Sequence, residues 1–417
     1  MDDRLHLVMV EPNGSGGLIH YAYQLCTALA EEGVDVTLVT GREYELADLP
    51  HNFTVNNVLD LWPLFEAGRS EEIRLGRWRR LWRKVFRTLR RGVRAVRLIR
   101  AWLLLVRYLL RLHPDVVLFS KINFPFEAFF LAYLRRRGLF LSQICHEFEL
   151  RESRWGALES LVARLYASVY PNFSALFFHA KENRQRFLAL YPRISPERMF
   201  LIPHGNSEWL LRLPMSVTPD ELRERYGLSV DDRVVLFFGL LAPSKGLEDL
   251  LDAFALARRD CDAKLVIAGY PTKHMDMVAL QERIDTLGLR KDVILDTRYI
   301  PLDEVGALMG LASVVVYPYR SGTQSGALQV AYIFGRPVVV TRVGGLPEAV
   351  EDGKSGFLVP PRSPEALADR IVTLVNDPAL AKRMGDYARH LAETRFSWQT
   401  VARKILDVYD SLLSRAR

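Results

Sequence analysis

Short runs of strand-forming apolar residues alternate with helical stretches, and this happens twice along the chain. The first series is LHLVMVE (5–11), VDVTLVT (34–40), VVLF (116–119), LFLSQIC (139–145), ALFF (175–178) and MFLI (199–202). Continuous apolar runs of this length are buried on both faces, and helices between them supply the crossovers that parallel strands need. A second series, VVLFFG (234–239), KLVIAG (264–269), VVVYP (314–318) and PVVVT (337–341), follows a loop-like, Pro-containing stretch after Pro203-His204-Gly205-Asn206. The pattern predicts an α/β chain of two doubly wound, Rossmann-like domains with parallel sheets facing one another across a cleft. The expected boundaries are 1–205, 206–395 and a closing helix 396–417. Ligands in such sheets bind beyond the carboxyl ends of strands, so chemistry is sought there.

Length agrees with two domains: 417 residues are two to three times an ordinary one. Apolar residues make up 49% and charged residues 25%, a balance that excludes disordered, collagenous and coiled-coil classes. Cys26, Cys145 and Cys261 are few and far apart, which leaves no disulfide framework and no cysteine zinc site and points to a reducing compartment. The N-terminus does not read as a signal peptide, and no apolar run is long enough to span a bilayer. A cytoplasmic protein is expected.

The net charge of +7 is local in origin. Residues 74–111 hold fourteen Lys or Arg and no acid, which leaves the remainder of the chain net acidic. Leu75, Trp78, Trp82, Val85, Leu89, Val93, Val96, Ile99, Leu103, Val106 and Leu110 recur there at spacings of three and four, which predicts one apolar helical face with arginines on the others. Such a helix suits an anionic membrane surface, where apolar burial and attraction to acidic lipid add. The protein is therefore expected to sit peripherally on the cytoplasmic membrane face; the competing expectation is that the stripe packs into its own domain. No nucleic-acid signature accompanies the basic run, and no nucleic-acid partner is expected.

Four places carry candidate chemistry. Gly14, Gly16 and Gly17 lie between the first strand and first helix, where backbone N–H groups can approach an anion. His146 ends a strand-like run and should project towards a ligand. Gly239 closes the first strand of the second domain, and Lys245-Gly246 opens the next helix, so an ammonium and free amides meet at a helix start. PYRSGTQSG (318–326) is a polar turn before a helix; the amides of Ser325 and Gly326 could cradle a second phosphate, with Arg320 or Gln324 nearby. Two such turns in one domain suggest a diphosphate. No HExxH, Walker or GxSxG sequence occurs, so metalloprotease, ATPase and serine-hydrolase readings have no anchor.

Taken together these segments resemble the retaining GT-B glycosyltransferases of family four, essentially end to end. FFGLLAPSKGLEDLLDAF resembles the family's donor loop, and SGALQVAYIFGRPVVVTRVGGLPEAVEDGKSGFLVPPRSPEALADRI is the most specific block. GSGG, His146, HAKENRQRF and IPHGN fall where the family has its glycine loop, active-site histidine, a helix start and the interdomain link. FSWQTVARKILDVYDSLL looks like a closing helix that returns to the first domain. The resemblance implies transfer of a sugar from a nucleotide diphosphate donor to an acceptor hydroxyl, with retention and without a required metal or other cofactor. It assigns Gly16 and Gly17 to the diphosphate or sugar, His146 to the donor sugar, Lys245 and the amides of Ser325 and Gly326 to the phosphates, and the Ile300 backbone to the base. Asp260-Cys261-Asp262 has the form of a DxD metal motif but precedes a strand, and is read as surface.

Three departures bear on this. Leu240 stands where many relatives have Arg after the glycine corresponding to Gly239, and Arg320 is the expected substitute. Val330 and Gly322 occupy the positions of the family's paired glutamates, and no Asp or Glu occurs from residue 305 to 347. Gln324 is the expected stand-in, as in a TQSG-type subgroup. The expected function is a hexosyltransferase acting on a lipid-linked or glycan acceptor in polysaccharide or glycolipid biosynthesis. The alternatives are a catalytically silent GT-B protein that binds a nucleotide sugar or scaffolds a complex, and a soluble disaccharide-forming transferase.

Overall fold

The computed structural model describes residues 4–59, 77–148 and 164–415, with side chains omitted over 77–92. The chain folds into two units. The first comprises Met1–Phe178, Arg186–Leu201 and Ala402–Arg417; the second comprises His179–Gln185 and Ile202–Val401.

In the first unit, strands β1 (His6–Val10), β2 (Asp35–Gly41), β3 (Thr54–Leu59), β4 (Val116–Phe119), β5 (Phe140–Ile144), β6 (Ala175–Phe178) and β7 (Met199–Leu201) form one sheet in the order β3-β2-β1-β4-β5-β6-β7. Every pairing is parallel. The switch in strand order falls between β1 and β4, the place where such sheets open for a ligand. Helices α1 (Gly17–Glu31), α2 (Arg77–Leu112), α3 (Glu127–Arg136) and α4 (Lys181–Leu190) make the crossovers. β4 and β6 are buried at every residue, as their unbroken apolar sequences require.

Helix α2 corrects the sequence reading of its apolar face. Ala101, Trp102, Leu105, Val106 and Leu109 are buried in the core, with Leu98 and Leu110 packed against it. Val93, Val96, Ile99 and Leu103 are 46–67% exposed. The three-and-four spacing was satisfied by two stripes side by side, and of the residues expected on one face only Val106 and Leu110 turn inward. Leu75 and the side chains of Trp78, Trp82, Val85 and Leu89 lie outside the described residues.

The second unit opens with helix α5 (Pro219–Tyr226). Thr218 and Glu221 form a reciprocal cap at its start, and Gly227 closes it at φ 65°. Strands β8 (Arg233–Phe238), β9 (Ala263–Ala268), β10 (Val293–Asp296), β11 (Ala312–Tyr317), β12 (Val338–Thr341) and β13 (Gly356–Val359) pair in the order β10-β9-β8-β11-β12-β13, again all parallel. Helices α6 (Leu247–Ala257), α7 (Met277–Thr286), α8 (Val305–Leu311), α9 (Gly326–Ile333), α10 (Leu346–Ala349), α11 (Pro364–Asn376) and α12 (Pro378–Glu393) complete it. Helix α13 (Trp398–Ser414) starts in this unit and continues into the first, where the Tyr409 hydroxyl lies 2.7 Å from Ser142 Oγ on β5 and Arg403 pairs with Glu32 at 2.9 Å.

The sequence reading did not contain β3, β10 or β13. All three are edge strands, with one buried residue in β3, none in β10 and two in β13. A strand covered on one side does not need the continuous apolar run by which the central strands were recognised.

Candidate active site

Two turns of the second unit meet after β8 and β11. The first runs from Gly239 through the 3-10 turn Pro243–Lys245 to Gly246, the residue that starts α6. Gly246 adopts φ 68°, and a Cβ there would stand 2.0 Å from the Pro318 carbonyl oxygen, so no other residue fits without moving backbone. The second turn is held to the first by main-chain bonds: the amides of Arg320 and Ser321 both donate to the Ser244 carbonyl, at 2.8 and 3.3 Å. Gly239, at φ 142°, abuts the start of α9, with Ala327 Cβ 3.8 Å from where its own Cβ would be.

Side chains continue the connection. Lys245 Nζ lies 3.6 Å from the centroid of the Tyr319 ring, a cation–π contact. The Tyr319 hydroxyl is 2.9 Å from Ser325 Oγ. Ser325 caps α9, its Oγ accepting from the Leu328 amide at 3.2 Å, and Gly326 is the first helical residue. The first amides of a helix have no intrahelical acceptor, and they carry the positive end of its dipole. An ammonium and a helix start therefore stand together, joined through one tyrosine, and the arrangement can receive an anion.

Arg320 is engaged differently from expectation. Asp249 binds its guanidinium through two bonds of 2.8 and 2.6 Å, and Glu248 pairs with it at 3.0 Å. Its charge is neutralised by α6, and the bond ties the two turns together. Gln324 lies against Gly345, where a Cβ would come 1.8 Å from Gln324 Nε2. The Thr323 carbonyl behind it accepts from the Gly345 amide at 2.8 Å and from Asn183 Nδ2 at 2.9 Å. His204 Cε1 is 3.7 Å from the Cβ position of Gly326, and the rings of His204 and His179 have centroids 4.8 Å apart. Burial pushes the His204 imidazole down to about 4, and His179 well below its ordinary value, helped by His204. Ile300 is buried on the loop after β10; among the described contacts none joins it to the Lys245–Ser325 pair. Asp260 and Asp262 flank Cys261 just before β9, with Asp262 paired to Arg258 at 2.7 Å.

The first unit places its candidates at the carboxyl ends of β1 and β5. Gly16 precedes α1 at φ 88°, with open space where a Cβ of Gly16 or Gly17 would point. Its amide donates to Glu45 Oε2 at 3.3 Å, and the other oxygen of Glu45 meets His20. Gly14 is sterically required, since its Cβ would fall 1.6 Å from the Glu43 carbonyl oxygen. His146 lies two residues past the end of β5 and sits edge-on to Tyr21 of α1, ring centroids 4.5 Å apart.

Sequence reasoning passed over several groups. Tyr319, Asp249, Asn183 and Glu45 act through partners distant in the chain and left no local signal. Glu11 did leave one, as the charged residue ending the run LHLVMVE. It is fully buried, bonded by the Asn13 amide at 2.7 Å and by Ser120 Oγ, and burial pushes its carboxyl up to about 7. Glu127, at the start of α3, is likewise buried and pushed up to about 8.

Two units of parallel, doubly wound sheet define an α/β class of Rossmann-like proteins, and comparison narrows it. Residues 15–206 match the family model Glycosyltransferase Family 4, and residues 232–377 match the model Glycosyl transferases group 1. The chain carries both glycosyltransferase domains, in a GT-B fold.

It is 31% identical over 248 residues to the D-inositol 3-phosphate glycosyltransferase of Corynebacterium glutamicum, covering 58% of each chain. It is 33% identical over 227 residues to the GDP-mannose-dependent alpha-(1-6)-phosphatidylinositol monomannoside mannosyltransferase of Mycolicibacterium smegmatis, covering 50% of this chain and 58% of that one. The matches span about half the length of the curated relatives. Among solved structures, Anabaena HepE in complex with UDP and glucose superposes with a TM-score of 0.70 at 18% identity, over 98% of this chain and all of that one.

Proposed function

We propose that the protein is a retaining glycosyltransferase that moves a sugar from a nucleotide diphosphate donor to an acceptor hydroxyl. The observation that carries this is the junction of the two turns of the second unit: Ser244 bonded to the Arg320 and Ser321 amides, and Lys245 resting on Tyr319, which contacts Ser325. On this reading the leaving group is the nucleotide diphosphate. Lys245 and the first amides of α9 stabilise the charge that grows on it as the sugar becomes oxocarbenium-like, and being fixed in advance they need no reorganisation. The acceptor proton passes to the departing phosphate. Arg320 holds the turns in register, and Gln324 takes the place of the missing acid at the ribose. Ile300 offers its backbone to the base. In the first unit, His146 and the Gly16–Gly17 turn meet the transferred sugar. No metal is required, so activity is expected to survive chelation by EDTA.

The acceptor is lipid-linked or a glycan, and the protein works peripherally at the cytoplasmic face of an anionic membrane. Support comes from the outer face of α2, where Val93, Val96, Ile99 and Leu103 are exposed among Arg94, Arg97, Arg100 and Arg107. Among the described residues no helix is long and apolar enough to cross a membrane. The mycolicibacterial relative's lipid acceptor is consistent with this. Flotation with vesicles containing acidic lipid should carry the protein at low salt and release it at high salt; no flotation at low salt removes the membrane part.

Thermal shift against UDP-, GDP- and ADP-sugars tests the core of the reading, because a ligand that binds only the folded state raises its melting temperature. One family of donors should shift melting; no shift at millimolar levels overturns it. The second reading, a silent nucleotide-sugar-binding protein, is favoured by Leu240, half-exposed where relatives place an arginine. It predicts the same shift without donor hydrolysis.

A further inference from the structure

The loop of residues 297–301, which carries Ile300, is tied at both ends by one guanidinium. Arg298 Nε donates to Asp296, the last residue of β10, at 3.0 Å. Its terminal nitrogens donate to the two carboxylate oxygens of Glu304, at 3.2 and 2.5 Å, where the 3-10 turn Leu302–Glu304 leads into α8. Each acid is anchored a second time by α5: the Tyr226 hydroxyl donates to Asp296 at 2.7 Å, and Arg225 donates to Glu304 at 2.9 Å. The side chains of Asp296 and Glu304 are only 10% and 12% exposed. A fork shared between two shielded carboxylates has one geometry, and here that geometry fixes the span of a loop.

The loop stands in line with the turn that carries Lys245. Gly239 and Gly269 directly follow the adjacent strands β8 and β9. The Gly239 amide donates to the Ala268 carbonyl at 3.1 Å, and the Gly269 amide to the Asp296 carbonyl at 2.9 Å. The ladder is thus carried past the strands by two residues without side chains, and a Cβ on Gly269 would fall 1.8 Å from the Gly239 carbonyl oxygen. These strand ends form a floor of bare backbone from β8 to β10, two strand spacings or about 10 Å, which a ribose and a base laid end to end can cover. A base is uncharged, and backbone groups read it through hydrogen bonds whose directions are best set before it arrives.

We propose that Arg298 is the positioning residue of the nucleobase loop: by bridging Asp296 and Glu304 it fixes residues 297–301, so that the Ile300 backbone accepts one base and refuses others. This role rests on the glycosyltransferase reading, in which that backbone meets the base. Arg298 acts through the loop and not through the substrate. Its removal leaves Asp296 with Tyr226 and Glu304 with Arg225, so neither acid is stranded and the unit stays folded while the loop loses its brace.

The test uses the full-length protein in calorimetric titrations with UDP, GDP, ADP and inorganic pyrophosphate. The wild type should prefer one nucleoside diphosphate over the other two and over pyrophosphate. In Arg298→Ala the preferred one should bind at least about tenfold more weakly, because the loop must then be ordered on binding, while the other two and pyrophosphate change less than about twofold. Arg298→Lys keeps the charge without the fork and should lose the preference as well. Denaturant melts check that each variant is folded. Equal loss for all three nucleotides and pyrophosphate marks a residue that supports the whole unit, and overturns the role; full recovery in Arg298→Lys overturns the bridge. A wild type that binds all three nucleotides alike selects no base, and overturns it too. If the wild type shows a preference and Arg298→Ala keeps it, the positioning role fails while the transferase reading stands. If the wild type binds no nucleoside diphosphate, the transferase reading fails and this role with it.

Discussion

Both units start a helix from a glycine turn after their first strand, and they treat its anion-receptive end in opposite ways. In the first unit the turn supplies its own anion: the Gly16 amide is bonded to Glu45. In the second, the corresponding turn carries a lysine, and a second helix start is drawn to the same place. The acids of the second unit stand behind the turns, on α6, where Asp249 and Glu248 bind Arg320. One fold repeated twice has thus produced one turn whose amide is bonded to an acid of its own chain and one that carries a lysine, and on the proposed reading the second is the diphosphate receptor.

Four experiments bear on that contrast, and the largest effect is structural. Gly246→Ala puts a Cβ 2.0 Å from the Pro318 carbonyl oxygen and strains a residue at φ 68°. It should destabilise the second unit by roughly 3 kcal/mol or more, seen in denaturant melts, since strain and a backbone collision add. Gly16→Ala, with open space at its Cβ position and strain from φ 88° alone, should cost the first unit roughly 1 kcal/mol. Equal costs would show that the two turns are built alike. Next is Lys245→Ala, which removes the cation of the turn in the second unit. Donor binding should weaken about 100-fold, equivalent to about 2.7 kcal/mol, with the melting temperature of the unliganded protein nearly unchanged. Unchanged donor affinity would show that the lysine is a surface group stacked on Tyr319 and nothing more.

The central strands and the two-unit rhythm were legible because burial on both faces forces a long apolar run. The edge strands β3, β10 and β13 were not, because nothing forces TVNNVL to be apolar on its open side. For α2 the period was read correctly and the phase was not: Trp102 and Leu103 are neighbours in sequence, yet one is core and the other is 57% exposed. In the site, Gly239, Lys245, Ser325 and Gly326 were visible as glycine turns at strand ends, and the structure brings them together. Arg320 was expected at a phosphate, and its partner Asp249 is 71 residues away, a distance over which a sequence gives no hint of pairing.

The units also differ in how burial has displaced their titrating groups, which makes a prediction of opposite sign for each. In the first unit Glu11 and Glu127 are pushed up to about 7 and about 8. Above the ordinary glutamate pKa the unfolded chain has released protons that the folded unit keeps, so stability falls as pH rises from about 4.5 through those values. In the second unit His179 and His204 are pushed down, the latter to about 4. Below the ordinary histidine pKa the unfolded chain takes up protons that the folded unit refuses, so stability falls as pH drops from about 6.5. Each group contributes a slope of about 1.4 kcal/mol per pH unit while its two states differ by a full proton. Hydrogen exchange followed by mass spectrometry should show peptides of residues 5–59 losing protection towards pH 8 and peptides of 232–377 losing it towards pH 5. Glu127→Gln should flatten the first trend. Parallel trends in both units would mean that the buried acids do not govern the first.

The smallest effect falls on the glycine turn of the first unit. Glu45→Gln keeps the shape of the side chain and removes its charge, so the Gly16 amide and the start of α1 lose an anion while keeping an acceptor oxygen. A charge near a helix start is worth about 0.3–1 kcal/mol, and the bond at 3.3 Å is long for a charge-assisted one, which places the expected cost at the lower end of that range. The informative readout is added phosphate. In the wild-type protein Glu45 already bonds the Gly16 amide at this turn, and exchange protection of residues 12–31 should be indifferent to millimolar phosphate. In Glu45→Gln, phosphate should restore the lost protection, because the helix start then needs an anion from solution. Lys245→Ala should show the reverse dependence in residues 239–250, where phosphate protects the wild type and no longer protects the variant. If phosphate protects the first unit of the wild type as well, Glu45 does not close its turn, and both glycine turns are open receptors.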